Sequence, residues 1–154
     1  MLFRFWLGWL QAHPNLIQRF AACGLLDSGG GLNPFTSAMT RDIIESDGLT
    51  KHIEKLKHIY QDQISIMDKM LRLHLPDAMY EIPQGGYFFW LNLPNINTSE
   101  LRKKAPAFKV DFRPGTLFSS RNELKNYMRL CFAHYNEAQI EEGILRLKEC
   151  LAGK

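Results

Sequence analysis

A single apolar stripe along residues 49–74 limits the folds that this chain of 154 residues can adopt. Large apolar side chains recur there at steps of three and four residues, a spacing typical of an amphipathic helix. The stripe consists of Leu49, Ile53, Leu56, Tyr60, Ile64, Met67 and Leu71. Its opposite side is charged, so the helix requires one apolar surface to cover the stripe. Asp47-Gly48 separates this helix from another helical segment that begins near Thr36.

Two kinds of partner surface fit the stripe: a second copy of the helix in a coiled coil, or a sheet. The apolar repeat lasts for only about three heptads, which is short for a coiled coil. Strand-like segments follow it, so we favour packing against a sheet. These segments are residues 80–82, residues 87–93, "AFKVDF" at 107–112 and "NYMRLCFA" at 126–133.

The order of these segments predicts an α+β fold. Gly85-Gly86 joins the first two strands as a hairpin, and a short helix over 98–105, capped by Thr98 or Ser99, follows them. The chain closes with a helix over 136–151 that has one apolar face. We expect a small, largely antiparallel sheet that is covered by the long helix and the C-terminal helix.

The beginning of the chain has a different character. "FRFWLGWL" at 3–10 predicts a strand, and Pro14 opens a predicted helix that ends at Gly24. Residues 27–35 then hold three glycines and one proline, the clearest break in the sequence. We therefore predict a boundary that separates residues 1–32 from a domain of residues 33–154.

Composition argues against several classes of function. The net charge is +3 and basic residues alternate with acidic ones, so no nucleic-acid partner is expected. The apolar N-terminus is too short for a membrane span, so no membrane partner is expected either. Three widely spaced cysteines are typical of free thiols in a reducing, cytoplasmic setting. Cys131 and His134 are one potential ligand pair without a second, and no metal site is predicted.

Arg129 is the residue of the last apolar segment that needs an explanation. Strand alternation places it on one face with Tyr127 and Cys131 and sends the intervening apolar residues to the core. A guanidinium keeps its charge inside a protein and needs a partner when it leaves water. Two interpretations remain open from the strand alone: an internal salt bridge with Asp111 or Glu81, or a carboxylate supplied from outside.

Three consecutive motifs resemble the end of the class I/II aminotransferases, the fold type I enzymes that use pyridoxal phosphate. The motifs are "IPQGGYFFWLNLP", "VDFRPGTLF" and "NYMRLCFAHYNEAQIEEGILRLKECL". The subgroup that acts on aromatic, branched or 2-aminoadipate-type amino acids is the most similar, and "WLGWLQAHPNLIQRF" resembles its strand and helix after the cofactor lysine. The resemblance implies that residues 33–154 are the small C-terminal domain and residues 1–32 a remnant of the large, cofactor-binding domain.

The resemblance also implies roles for individual residues. In the family, an arginine at the position of Arg129 holds the carboxylate of the amino acid or 2-oxo acid substrate. Asn33 lies where the chain leaves the large domain near the active site, and its alternative role is a turn residue before Pro34. Trp6 occupies the place of the family's phosphate-binding arginine, and Arg4 is the remaining candidate for contact with the cofactor.

The family's cofactor lysine is missing, because the sequence begins beyond that motif. The resemblance therefore implies no catalytic residue in this chain and the C-terminal part of an enzyme of amino acid metabolism, truncated or incomplete. Such a chain is expected neither to bind pyridoxal phosphate nor to be active alone. Two alternatives remain: a non-catalytic amino-acid-binding or regulatory module, and one half of a split enzyme whose partner polypeptide carries the large domain. The N-terminal aromatics predict a homo-oligomer.

Overall fold

The computed structural model describes residues 7–24 and 33–153. It separates into two compact units, Met1–Lys55 and Leu56–Lys154, and the division falls inside a continuous helix. Arg4 and most of the glycine-rich break lie outside the described residues. The predicted boundary between residues 32 and 33 therefore stays a prediction.

The first unit is built from helices. They are α1 (Pro14–Ala21), α2 (Pro34–Glu45) and the first two turns of α3 (Gly48–His74). Asp47 adopts a left-handed conformation with φ of 57°, which separates α2 from α3 and confirms the predicted break. None of the described side chains of this unit is buried, and Trp9 is 89% exposed.

The strand predicted over residues 3–10 is wrong for its described part. Residues 7–10 have no regular secondary structure. The physical reason is that an apolar run becomes a strand only when another strand pairs with it, and none of the described strands does.

The second unit contains a three-stranded antiparallel sheet in the order β1-β3-β2. The strands are β1 (Phe88–Asn92), β2 (Arg113–Pro114) and β3 (Tyr127–Cys131). Two helices, α4 (Thr98–Lys104) and α5 (Glu137–Ala152), and two 3₁₀ turns, Ala105–Phe108 and Gly115–Phe118, complete the unit. The central strand β3 thus carries neighbours on both sides.

One apolar core holds this unit together. Side chains from the last turns of α3 and from α5 pack on the same face of the sheet, which confirms the predicted α+β fold. The sheet contributes Phe89, Leu91, Met128 and Leu130, α3 contributes Met67, Met70 and Leu71, and α5 contributes Ile140, Ile144, Leu147 and Cys150. Asn136 and Gln139 cap α5 reciprocally, as a capping box.

Two predicted strands are wrong. Residues 80–82 are not extended into the sheet, and the segment makes only a single bridge, between Met79 and Asn92. Residues 107–112 are not a strand because Pro106 opens a 3₁₀ turn and Lys109, at φ 53°, ends it in the left-handed region. Strand pairing begins only at Arg113.

The short helix α4 forms as predicted, but a different residue caps it. The Asn97 side chain accepts hydrogen bonds from the backbone N–H groups of Ser99 and Glu100, at 3.1 and 3.3 Å. Thr98 is instead fully buried, with its hydroxyl 2.7 Å from the carbonyl oxygen of Tyr127. The residue that we expected to cap α4 therefore attaches that helix to the start of β3.

Candidate functional site

The outer face of the sheet, opposite the core, carries the residues that bear on function. Alternation along β3 places Arg129 on this face, between the fully buried Met128 and the buried Leu130. The predicted orientation of Arg129 is therefore confirmed. We call the side chains of Phe88, Trp90, Arg113, Phe118, Tyr127 and Arg129 the outer-face cluster.

Aromatic rings surround the Arg129 guanidinium. Its central carbon lies 3.9 Å from the ring centroid of Phe88 and 4.9 Å from that of Phe118. The indole of Trp90 meets Phe118 edge-on at 5.3 Å and stacks on Tyr127 at 5.6 Å. The π-electrons of these rings attract the guanidinium, but the rings supply no hydrogen-bond acceptor. With respect to the described residues, the N–H donors of Arg129 are therefore available for a ligand.

The internal salt bridge that was the alternative explanation for Arg129 is absent from the described residues. No described carboxylate lies within 4.0 Å of its guanidinium nitrogens. Asp111 binds Arg102 instead, with Nε 2.9 Å from one carboxylate oxygen and Nη2 3.3 Å from the other. That hydrogen bond from Arg102 is the main reason why the pKa of Asp111 lies below its usual value.

The backbone that leads into the strand of Arg129 is held by several contacts. At the start of β3, the N–H of Leu93 donates to the carbonyl oxygen of Asn126 and the N–H of Thr98 donates to that of Lys125, both at 2.8 Å. A Cβ atom on Gly115 would clash with the Leu124 carbonyl oxygen, so the turn after β2 packs directly on this segment. A guanidinium on such a supported strand is well placed for precise recognition.

The other predicted site residues, Asn33 and Arg4, belong to the first of the two units. Asn33 precedes α2 in the first unit, and its side-chain oxygen accepts from the Thr36 N–H at 3.4 Å. This is the turn role that was its alternative, and the predicted substrate contact stays a prediction. Arg4, the predicted cofactor contact, lies outside the described residues.

Sequence reasoning missed four members of the outer-face cluster. Trp90 and Phe88 were recognisable only as aromatics on a strand, and Phe118 lies in the turn Gly115–Phe118, for which no role was predicted. Arg113 was missed because its strand was predicted to end one residue earlier. The register of β2 against β3 is a long-range feature that local patterns do not encode.

The rest of residues 7–24 and 33–153 bears on other kinds of site. A cavity of about 620 Å³ lies beside the end of β3 and is lined by residues such as Cys131, Tyr135 and Glu142, but Arg129 does not line it. The described residues contain no cluster of three or more side chains placed to hold a metal. They also include no helix that is long and apolar enough to cross a bilayer.

Comparison with known proteins gives the outer face its context. The chain is 34% identical over 151 residues to the aromatic-amino-acid aminotransferase 1 of Thermococcus litoralis, covering 96% of this chain and 36% of the relative. The crystal structure of the multiple substrate aminotransferase from Thermococcus profundus matches with a TM-score of 0.81 and 30% identity, over 92% of this chain and 36% of that one. The chain matches the C-terminal portion of fold type I aminotransferases.

A third aminotransferase, whose structure contains a cofactor derivative, supports the same relationship. LysN, the α-aminoadipate aminotransferase of Thermus thermophilus, was solved with N-(5'-phosphopyridoxyl)-L-leucine. It is 26% identical with a TM-score of 0.78, and the match covers 92% of this chain and 36% of LysN. The family resemblance read from the sequence is thereby confirmed, although no protein-family model matches the chain. The chain spans about 36% of the length of these aminotransferases.

The described part of this aminotransferase portion does not fit the covalent attachment of pyridoxal phosphate. A lysine that holds the cofactor is usually enclosed, since burial lowers its pKa and keeps its amine reactive. All nine lysines of residues 7–24 and 33–153 are exposed. Family membership is therefore carried here by the sequence similarity and by the fold.

Proposed function

We propose that this chain is the substrate-binding, C-terminal part of a pyridoxal-phosphate-dependent aminotransferase, and that Arg129 holds the carboxylate of its amino acid or 2-oxo acid substrate. The supporting observation is the Arg129 guanidinium itself, which lies 3.9 Å over the Phe88 ring on an outer face with no described carboxylate partner. A planar guanidinium offers two parallel N–H donors that match both oxygens of a carboxylate.

The surroundings of Arg129 suit a small organic acid better than a bare ion. Phe88 and Phe118 are partly exposed, so they present apolar surface beside the charge. That surface lowers the local dielectric and strengthens a charge-assisted hydrogen bond formed there. It also offers contact to the carbon skeleton of a substrate, which a chloride or phosphate lacks.

The test is calorimetric titration of the 154-residue chain with 2-oxopentanoate, a simple 2-oxo acid. We expect binding by the wild type, a loss of about ten-fold or more in Arg129→Gln, and a smaller loss in Arg129→Lys, which keeps the charge but not the fork. The matched control is Arg146→Gln, on the helix that covers the other face of the sheet. Binding that survives unchanged in Arg129→Gln would overturn the proposal.

The proposal includes the absence of transamination by this chain alone. Pyridoxal phosphate supplies the electron sink in this chemistry and must be anchored to act, while the nine described lysines are all exposed. We expect no amino transfer when the purified chain is mixed with pyridoxal phosphate, an amino acid and a 2-oxo acid. Turnover that follows the protein through purification would contradict this part of the proposal.

The apolar side chains of the first unit support an association in the active assembly, either of copies of this chain or with a polypeptide that carries the large domain. Trp9 is 89% and Leu10 58% exposed, and none of the described side chains of residues 7–55 is buried. Exposed apolar surface of this kind favours association. Light scattering is the measurement, and we expect species larger than the 17.8 kDa monomer.

A further inference from the structure

The central strand β3 is paired along only part of its edge on the β2 side. β2 contributes two residues, and its pairing with β3 ends where Arg113 lies opposite Arg129. On the other side, the pairing with β1 extends to Cys131, opposite Phe88. The last residue of β3 therefore has a strand neighbour on one side only.

The backbone groups of Cys131 point toward this open side. The N–H of Phe132 donates to the carbonyl oxygen of Tyr87 at 3.1 Å, and the N–H of Leu93 donates to that of Asn126 at 2.8 Å. The even-numbered residues of this segment therefore bond to the β1 side, and the groups of the odd-numbered residues point to the β2 side. Among the described residues, neither the N–H nor the carbonyl oxygen of Cys131 has a hydrogen-bond partner there.

The segment that would continue β2 is held away from this edge. Lys109 adopts a left-handed conformation with φ of 53°, which turns the chain at the end of the 3₁₀ turn Ala105–Phe108. Its carbonyl oxygen accepts a hydrogen bond from Nη1 of Arg146 on α5 at 3.2 Å. The same guanidinium is fixed by Glu142, whose carboxylate oxygen lies 2.8 Å from Nε. Contacts within the fold therefore keep the edge at Cys131 open.

A cavity of about 620 Å³ lies next to the open edge, and its volume is in the range of ligand sites. Besides Cys131, it is lined by apolar side chains of the core, namely Met67, Leu130, Ile140, Ile144 and Leu147. An apolar cavity beside unpaired backbone groups suits an added β-strand. The main chain of such a strand pairs with the edge, and its alternate side chains enter the cavity.

Gly143 on α5 also lines the cavity. A Cβ atom at this position would meet no atom within 4 Å, so close packing does not require a glycine. The residue lies inside a helix, where glycine is less favourable than alanine. The missing side chain therefore weakens the helix and leaves the cavity wide at this point.

We propose that this edge and cavity receive an extended segment of the polypeptide that carries the large domain. The segment pairs with Cys131 as an additional antiparallel strand. The residue opposite Cys131 has its side chain on the outer face, and the two residues that flank it direct apolar side chains into the cavity.

The comparison with relatives supports this source of the segment. The match covers 96% of this chain but only 36% of the Thermococcus litoralis enzyme, so most of that enzyme lies outside the matched part. The inference rests on the proposed function and adds the docking site of the partner polypeptide.

The test is an NMR titration of the ¹⁵N-labelled full chain with the peptide acetyl-Ala-Val-Thr-Val-Ala-amide. Peptide up to about 10 mM detects Kd values in the millimolar range, and we expect the amide signal of Cys131 to shift. Aspartate in place of both valines, or a methyl group on the threonine nitrogen, should weaken binding about ten-fold or more. The first change removes the apolar contacts and the second removes a hydrogen-bond donor.

Two variants of one residue test the cavity. Gly143→Leu fills it and should weaken peptide binding about ten-fold or more, whereas Gly143→Ala should bind within about two-fold of the wild type. Leucine and alanine are both good helix formers, so the two variants differ mainly in the volume that they place in the cavity. Equal binding by Gly143→Leu and the wild type would overturn the proposal.

Overlapping peptides from the unmatched part of the Thermococcus litoralis enzyme test the source of the segment. We expect at least one, with apolar residues on both sides of a central residue, to displace the synthetic peptide. Displacement by none would overturn the assignment to a large-domain polypeptide. A Cys131 signal that shifts with protein concentration alone would identify a second copy as the occupant, and the proposal would then be wrong.

The outcomes separate this inference from the function on which it rests, because Arg129 does not line the cavity. Gly143→Leu should therefore bind 2-oxopentanoate like the wild type. If 2-oxopentanoate binding depends on Arg129 but the peptide leaves the Cys131 signal unchanged, the docking site is wrong and the proposed function stands. If the peptide binds as expected and 2-oxopentanoate does not bind, the docking site stands and the role of Arg129 is wrong.

Discussion

The two faces of the sheet are made from the same strands but have opposite properties. The core face is closed: Phe89, Leu91 and Met128 are fully buried under α3 and α5. The outer face is half open: Phe88 is 37% and Trp90 36% exposed, and two arginines lie on it, of which Arg129 contacts the rings. Since neighbouring residues of a strand point to opposite faces, one pleated segment supplies both the core and the candidate binding surface.

This difference shows where stability and recognition are encoded. The core face consists mainly of apolar side chains in close contact, and its energy comes from burial and packing. The outer face carries guanidinium donors that have no described partner. Such donors contribute little to folding, but they can bind a ligand. We therefore expect substitutions on the first face to change the free energy of unfolding, and substitutions on the second to change binding.

The largest expected effect comes from two adjacent phenylalanines that point to opposite faces. Phe89→Ala removes a ring that is fully buried and in edge contact with Phe132 and Tyr80, so we expect a loss of about 3–5 kcal/mol in the free energy of unfolding. Phe88→Ala removes a partly exposed ring and should cost about 1 kcal/mol. Chemical denaturation measures both. Equal losses would show that the faces do not differ as described.

Much of the core face was predictable from the sequence, because it depends on local periodicity. The C-terminal half of the α3 stripe, the apolar face of α5 and the alternation around Arg129 are repeats of about 3.6 or 2 residues. Leu49 and Ile53, at the start of the predicted stripe, are exposed instead of covered. The break at Asp47-Gly48 is a local signal of the same kind, with a left-handed Asp47. Such features need no knowledge of distant parts of the chain.

The outer face was predicted only in part, because its composition depends on which strands pair. "AFKVDF" has the residues of a strand, yet Pro106 and a left-handed Lys109 divert it. The pairing therefore starts at Arg113, and only that register sets Arg113 opposite Arg129. The strand predicted over residues 80–82 is wrong for a similar reason. The Tyr80 hydroxyl donates a hydrogen bond to Asp68 on α3, at 2.9 Å, and the segment does not extend a hairpin.

A second, smaller effect is a dependence of stability on pH that arises on the core side of the sheet. Tyr80 packs edge-on against Phe89 on the core side at 5.6 Å, and burial, aided by its hydrogen bond to Asp68, raises its pKa from 10.0 to about 12. Because the folded protein holds this proton more tightly than the unfolded chain, stability is unaffected below about pH 10 and falls as the pH rises through about 12. We expect a loss of roughly 1–2 kcal/mol over that interval.

Two phenylalanine variants isolate the contribution of Tyr80. Tyr80→Phe removes the titrating group, so its urea midpoint should fall less steeply than that of the wild type between about pH 10 and 12. Tyr127→Phe, on the outer face, leaves the Tyr80 environment intact and should retain the wild-type slope. Parallel slopes for Tyr80→Phe and the wild type would mean that this hydroxyl is not shielded by the fold.

The smallest expected change in the free energy of unfolding is that of Arg129→Gln, at the residue proposed to bind substrate. Arg129→Gln loses the contact with Phe88, worth about 0.5–1 kcal/mol at a partly exposed site. It also removes the repulsion with Arg113, which raises the free energy of unfolding by about 0.2–1 kcal/mol. These terms oppose each other, so chemical denaturation should show a net change below about 1 kcal/mol. A loss above about 2 kcal/mol would mean that Arg129 already satisfies a partner within the protein, and its charge would then serve the fold instead of a substrate.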